Sequence, residues 1–424
     1  MSLSNGNNKG FLAFYQRNLF VFILIALVAG IGVGYVLPHR ATWFTWMGDL
    51  FIRGLKMVIV PLILSSIISG VSNLGQNNSL GRLTLKTLGY YVITSLLAIL
   101  TGLLLVNLIE PGVGAPLPDS TENLPELSAE GASLKDTLLR MIPTNVFAAF
   151  SQGQMLSTIF FAVLFGVFIT KVKEARYRDL LSDFFNATFE VMMGITMFVI
   201  LFTPLGVFGL VVDVVAEQAG DKAKLALMAA SLGKYMLTVV AGLGIHAFVT
   251  LPLLMLLLAG INPIHHFRAM LTPLITAFST SSSGATLPLT MEALEHKAGI
   301  SNRITSFTIP LGATINMDGT ALYECVAAMF IAQAYNIHLD FGQQMVVVIT
   351  ALLASIGAAG IPMAGLVMIS VILSAVGLPL EGVGMILAVD RILDMMRTAV
   401  NVWSDSCGAA IIARSEGETT HTVV

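Results

Sequence analysis

Ser281-Ser282-Ser283-Gly284-Ala285-Thr286-Leu287-Pro288 and Ser355-Ile356-Gly357-Ala358-Ala359-Gly360-Ile361-Pro362 each interrupt an apolar run at mid-length with small, polar and helix-breaking residues. Neither flanking half is long enough to cross a bilayer, which takes about 20 helical residues. A helix that stops in hydrocarbon must have its freed N–H and C=O groups satisfied, so such a break survives only buried in protein or against a wet cavity. We read two re-entrant helical hairpins whose tips meet; the competing reading is a pair of loops at the membrane surface. Between them, residues 301–336 form an apolar segment containing Asn316-Met317-Asp318-Gly319-Thr320. A Gly beside an Asp and an Asn at mid-span reads as an unwound helix.

The rest of the chain supports a membrane setting. Of its 424 residues 56% are apolar and 11% charged, whereas soluble chains carry roughly 25% charged residues. Mean hydropathy is +0.84. A chain this long holds roughly eight to ten spans with their loops. A net charge of -3 and the absence of a long basic run set nucleic acid aside. Cys325 and Cys407 lie in apolar sequence without metal-ligand spacing and read as packing residues. The first apolar run is too long for a signal-peptide core and no small-residue cleavage site follows it, so it reads as a span.

Six apolar segments ahead of the hairpins read as helices: 19–37, 45–70, 84–109, 136–171 (broken at Pro143), 189–215 and 224–259. Basic residues near helix ends stay on the cytoplasmic side. Lys9 and Arg17 precede the first span, Arg82 and Lys86 follow the second, Lys171, Lys173, Arg176 and Arg178 follow the fourth, and Arg268 follows the sixth. Even-numbered crossings therefore end inside, and both termini are expected in the cytoplasm. The loop at 110–135, with Asp119, Glu122, Glu126 and Glu130, reads as a flexible outer connection. His265 and His266 read as residues of a cytoplasmic loop.

The last apolar segment, 382–413, carries Asp390, Asp394, Arg397, Asn401 and Asp405. At about 100° per residue their spacing keeps all five within an arc of about 80°, with Thr398 at its edge. Asp318 and Glu324 bring the ionisable groups at bilayer depth to six. Unpaired, six such charges would cost about 15 to 20 kcal/mol, more than the roughly 5 to 15 kcal/mol that holds a typical protein together. Arg397 neutralises one acid and leaves four negative charges in excess, which cations, protons or a substrate amine must balance. The alternative is a structural network of Arg397 with Asp394 and protonated acids elsewhere. Arg391, off the main face beside Asp390, reads as a local ion pair or interfacial anchor. Carboxylates, amide oxygens and carbonyls freed at helix breaks are hard ligands, suited to an alkali or alkaline-earth cation. Tyr91, Thr94 and Ser95 in the third span add hydroxyl or carbonyl oxygens.

These motifs together resemble the glutamate transporter family, the dicarboxylate/amino acid:cation symporters. The resemblance is carried by SSSGATLP, by GATINMDGTALYE from Gly312 to Glu324, by SIGAAGIPMAG, and by D-x-x-x-D-x-x-R-T-x-x-N-x-x-x-D from Asp390 to Asp405. Paired interrupted segments mark the binding site of inverted-repeat secondary transporters, a class that includes this family. The implied fold is an all-α polytopic membrane protein of eight transmembrane helices plus two re-entrant hairpins, in inverted repeats. The resemblance further implies a homotrimer in the inner cell membrane, without a resident cofactor and without enzymatic activity. Residues 1–83 and 110–223 would form a scaffold. Residues 84–109 and 224–415 would form a transport domain that slides as an elevator, and 416–424 a cytoplasmic tail.

By the same resemblance, Asp394 would bind the substrate's α-amino group and Arg397 its side-chain carboxylate, with Thr320, Thr398 and Asn401 completing the pocket. Backbone groups around Ser283, Ile361 and Gly365 would hold the α-carboxylate, as amides at helix starts favour anions. Sodium would occupy three sites: Gly312, Asn316, Asn401 and Asp405; Thr314, Ser355, Ile356 and Ala358; and Tyr91, Thr94, Ser95, Asn316 and Asp318. Dicarboxylate-specific relatives lack the amine-binding acid, so Asp394 favours L-aspartate or L-glutamate over a C4-dicarboxylate. An acid at Glu324 accompanies proton co-transport in the family, whereas purely sodium-coupled archaeal relatives tend to carry Gln. Two departures stand out: Ser281 occupies the place of an arginine in the archaeal pattern, and Met395 that of an arginine in the animal pattern. Arg391 is a candidate stand-in. A channel and an intramembrane hydrolase are the other function classes; the latter lacks an HExxH run or a serine–base arrangement.

Overall fold

The structure, a computed structural model, describes residues 14–15, 18–74, 81–115, 139, 142–152, 154–218, 222–357 and 364–420. All regular elements among them are helical. In chain order they are α1 (Leu19–Val36), α2 (Thr42–Leu74), α3 (Gly81–Ile109), α4 (Val146–Ser151), α5 (Met155–Thr170), α6 (Ala175–Ile200), α7 (Thr203–Gln218) and α8 (Lys222–Ile245). A wider turn over His246–Thr250 joins α8 to α9 (Leu251–Ala259). Then come α10 (Pro263–Thr280), α11 (Ser283–His296), α12 (Asn302–Ile315), α13 (Asp318–Ala334), α14 (Phe341–Gly357), α15 (Ala364–Val376) and α16 (Val383–Ser415).

Four helical stretches, Thr42–Ser72, Arg82–Ile109, Ala175–Ile200 and Ala226–Ala259, are long and apolar enough to cross a membrane. Their outward faces are oily: Leu85 is 74% exposed, Phe248 71% and Leu257 73%. Such continuous apolar exposure fits a surface that faces lipid. The 33-residue α16 has the length as well, but its charged face holds its hydropathy down.

The segment expected as one helix over 189–215 is two. Pro204 lacks the N–H that would bond back to Ile200, and its ring crowds that carbonyl. The Thr203 hydroxyl takes the Ile200 carbonyl instead at 2.7 Å, and α6 extends back to Ala175. The break expected across residues 281–288 narrows to Ser281 and Ser282. Ser281 closes α10 in the left-handed region (φ 52°), and Ser282 caps α11 by accepting the Ala285 N–H at 3.2 Å. The acidic loop residues 119–130, and the second tip at 358–363 with Ala358 and Ile361, lie outside the described residues.

The helices pack as two groups. In one, α1 lies on α7, and α2 contacts α5, α6 and α7; Ser69 of α2 bonds Asn186 of α6 at 2.5 Å. In the other, α3 and α8 pack on α13, and α16 threads between α10, α12 and α13. The α10–α11 and α14–α15 pairs each pack side by side. The α13 helix is buried along nearly its whole length, so both of its ends open into protein rather than lipid. The polar groups of the next section gather around its first turn.

Candidate functional site

The site grows from the interruption between α12 and α13. Asn316 and Met317 leave helical geometry, and α13 restarts at Asp318. A restarting helix has four N–H groups without intrahelical partners, and Met317 has no side chain able to cap them. Asn401 of α16 supplies the cap from across the interface: its Oδ1 accepts from Gly319 N at 2.8 Å and Thr320 N at 3.4 Å, and its Nδ2 donates to the Thr320 hydroxyl at 3.0 Å. Asp318 at the first position adds a negative charge where the helix dipole favours one.

Around this turn lies an oxygen-rich network that is almost wholly dry. Asn316 donates to Asp405 Oδ1 at 2.9 Å and to Ser404 Oγ at 3.0 Å. Asp318 Oδ1 accepts from Ser95 at 2.6 Å, and the Thr94 hydroxyl lies 3.4 Å from both Asp318 Oδ1 and Asn316 Oδ1. Asp318 Oδ2 accepts from Ser404 at 2.5 Å and meets His246 Nε2 at 3.1 Å. Of the third expected cation set, Thr94, Ser95, Asn316 and Asp318 therefore converge. The Tyr91 carbonyl lies 3.3 Å from the Thr94 hydroxyl of that set, while the Tyr91 hydroxyl donates to the Thr308 carbonyl at 2.7 Å, toward the first set. Gly312 is needed there, because a Cβ would collide with the Asp405 carboxylate and the Tyr91 hydroxyl. Asn401, also assigned to that set, spends its amide on Thr320 and the α13 cap. Of the remaining expected set, Ala358 lies outside the described residues. Thr314 is exposed with its hydroxyl on Leu311, and Ser355 bonds its own helix at Leu352. Ile356 lies within α14.

On the other side of Asn401, α16 presents the charged pair. Arg397 donates to Asp394 Oδ1 through Nε at 2.9 Å and Nη2 at 2.7 Å, so the pairing weighed as a structural network is present. The guanidinium stacks over the Tyr323 ring at 4.9 Å, and Nη1 has no hydrogen-bond partner among the described residues. Tyr323 donates to Asp390 Oδ1 at 2.5 Å. Gly365 gives the guanidinium its seat, since a Cβ there would occupy the position of Nη1. Thr398 bonds the Asp394 carbonyl at 2.8 Å, and Ser283 is buried in the first turn of α11. Asp390, Asp394, Arg397 and Asp405 are each at most 2% exposed. Glu324 is fully buried, and neither carboxyl oxygen has a partner among the described residues.

One expectation is borne out and one is corrected. Arg391 reaches Asp394 Oδ2 at 3.4 Å, the local ion pair that is one of the two readings given it, because a separation of three along a helix brings side chains to one face. His266 is not a solvated loop residue: it lies inside α10, fully buried against Trp403 at 5.5 Å. The lone mid-span His246 belongs to the Asp318 network, although no site role was read for it. An ionisable residue inside a span carries a functional hypothesis by default, and that signal was present in the sequence. Ser404 was missed too, although at 100° per residue it falls only about 20° outside the charged arc.

Residues 19–415 match the sodium:dicarboxylate symporter family. The chain is 37% identical to excitatory amino acid transporter 3 of Oryctolagus cuniculus over 95% of its own length and 86% of the relative's. It is 35% identical to an excitatory amino acid transporter of Caenorhabditis elegans, covering 96% and 89% of the two chains. With excitatory amino acid transporter 4 of Mus musculus it shares 34% identity over 94% and 83%.

Proposed function

Because the chain belongs to the sodium:dicarboxylate symporter family, a family of multi-pass membrane transporters rather than enzymes, we propose that it carries L-aspartate or L-glutamate into the cell together with Na+. The observation that carries the reading is the buried juxtaposition of Asp394 and Arg397 on one face of α16, one helical turn from Asn401, which caps the turn that Asp318 begins, and about two turns from Asp405. Asp394 complements a substrate ammonium, and Arg397 complements a distal carboxylate through the planar fork that suits such groups. As substrate enters, the two side chains exchange each other for these partners. The unpaired Nη1 is the donor available first.

Five buried carboxyls, Asp318, Glu324, Asp390, Asp394 and Asp405, face one buried guanidinium, Arg397. Alkali cations are cargo that offsets this surplus, held by Asp318, Asp405, Asn316, Thr94 and Ser95 and by carbonyls left open at the end of α12. Glu324 is the proton carrier in this reading: a fully buried carboxyl without a donor is far cheaper to hold neutral than charged. Transport proceeds by sliding of the α3 and α8–α16 group against the α1–α2 and α5–α7 group, in a homotrimer of the inner membrane with cytoplasmic termini. The two packing groups support that division.

The test is uptake of labelled L-aspartate into proteoliposomes with Na+ and pH gradients imposed separately. Uptake driven by an inward Na+ gradient is expected; no gradient-dependent uptake ends the reading. Preference for succinate over aspartate would favour the C4-dicarboxylate alternative, and ion flux without substrate would favour a channel.

A further inference from the structure

His246 is fully buried, and nothing above gives it a task. Its place is set by a local irregularity: α8 ends at Ile245, and the turn that follows, His246–Thr250, is a π-turn. A π-turn adds a residue to the helix and leaves a backbone group outside the regular ladder, a feature frequent at functional sites. Here the indole N–H of Trp403 takes the Ala247 carbonyl at 2.9 Å. The wide turn is thereby pinned to α16 one residue before Ser404, which donates to Asp318 Oδ2. His246 Nε2 lies 3.1 Å from the same oxygen, and Nδ1 has no hydrogen-bond partner among the described residues. A carboxylate oxygen can only accept, so this contact is a donation from a proton on Nε2.

The groups around Asp318 differ in kind. Ser95 and Thr94 face Oδ1, and a hydroxyl can turn its proton away and present a lone pair to an arriving cation. A protonated imidazole nitrogen has no lone pair to offer, so it remains a donor throughout. The terminal torsion of an aspartate is soft, and only its hydrogen bonds fix which oxygen faces which way. We propose that His246 is a positioning residue of the cation site, a fixed donor on the π-turn that holds Asp318 with Oδ1 toward Thr94, Ser95 and Asn316. The inference rests on the reading of Asp318 as a cation ligand.

The test is a Na+ titration of Trp403 fluorescence in the purified full-length protein, with Trp43→Phe and Trp46→Phe leaving Trp403 as its sole tryptophan. It requires neither uptake nor knowledge of the substrate. His246→Phe keeps a ring and removes the donor, His246→Ala removes both, and His246→Gln returns an N–H near the place of Nε2. Loss of a group that orients a metal ligand costs about 10- to 100-fold in affinity. The Na+ midpoint should rise at least about tenfold in His246→Phe and His246→Ala, and return to within about threefold of the parent in His246→Gln. An unchanged midpoint in whichever donor-free variant folds, or a His246→Gln shift as large as that of His246→Phe, overturns the inference. Asp318→Asn separates it from its premise. No Na+ response in the parent, or the same response in Asp318→Asn as in the parent, removes the cation site and the inference with it. A shifted Asp318→Asn beside an unshifted His246→Phe removes the inference alone.

Discussion

Arg397 is held by Asp394 on two nitrogens, by the Tyr323 ring on its face and by no described residue on Nη1. Removing one partner of a buried charge pair is costly, about 2 to 5 kcal/mol, because the other is left without compensation. Arg397→Ala should therefore lose affinity for acidic substrates by about 100-fold or more, read as the KM for labelled L-aspartate. Undiminished glutamate affinity would refute the role given to the guanidinium. Glu324 makes the complementary case, a carboxyl without a partner rather than a cation with several. In Glu324→Gln the amide cannot carry a proton, so stimulation of uptake by an inward pH gradient should vanish while the response to a Na+ gradient persists. Equal pH stimulation in variant and parent would assign proton coupling elsewhere.

At the scale of elements, each irregularity places a polar group that a continuous helix would point elsewhere. The α12–α13 break turns the first turn of α13 toward Asn401, the Ser281–Ser282 corner starts α11 beside the site, and the π-turn swings His246 onto Asp318. The far end of α16 is tied down separately. Glu416, its C-terminal cap, bonds Arg82 at 2.8 Å and Lys86 at 2.6 Å at the start of α3, and Arg303 of α12 lies 3.7 Å away. Hydrogen bonds from Arg82 and Lys86 hold the Glu416 carboxyl down at about 2. A carboxyl held below its unfolded value contributes stability above that value, and the contribution disappears as pH falls through the folded one. Glu416→Gln should accordingly melt at a lower temperature than the parent at neutral pH, with the gap closing between about pH 4.5 and about pH 2. A constant gap across that window would mean that the charge is not what ties α16 to α3.

For the molecule as a whole, the contact between the two helix groups decides whether they can move. Lys56, near the middle of α2, lies 3.8 Å from Glu381, just ahead of α16, and both side chains are at least half exposed. An exposed pair of this kind contributes little, about 0 to 1 kcal/mol, so it marks proximity rather than a lock. If the groups slide past one another, Lys56→Cys and Glu381→Cys joined by a disulfide-containing bis-maleimide, which spans the length of the two side chains removed, should arrest uptake, while substrate binding in detergent persists and a thiol reductant that cleaves the linker restores transport. Full uptake by the cross-linked protein would contradict a sliding mechanism.

Composition and the interrupted segments were enough to set the class, because apolar length and broken helices are local properties and hydrocarbon tolerates few ways of satisfying a backbone. The charged face of α16 was legible for the same reason: helical spacing alone puts Asp390, Asp394, Arg397, Asn401 and Asp405 on one side. Partnership was not legible. That Asn401 caps α13, that Tyr91 turns to Thr308, and that His246 and Ser404 complete Asp318 depends on residues far apart in the chain. A sequence records which groups a helix presents. Which of their lone pairs and N–H groups find one another follows only from how the helices pack.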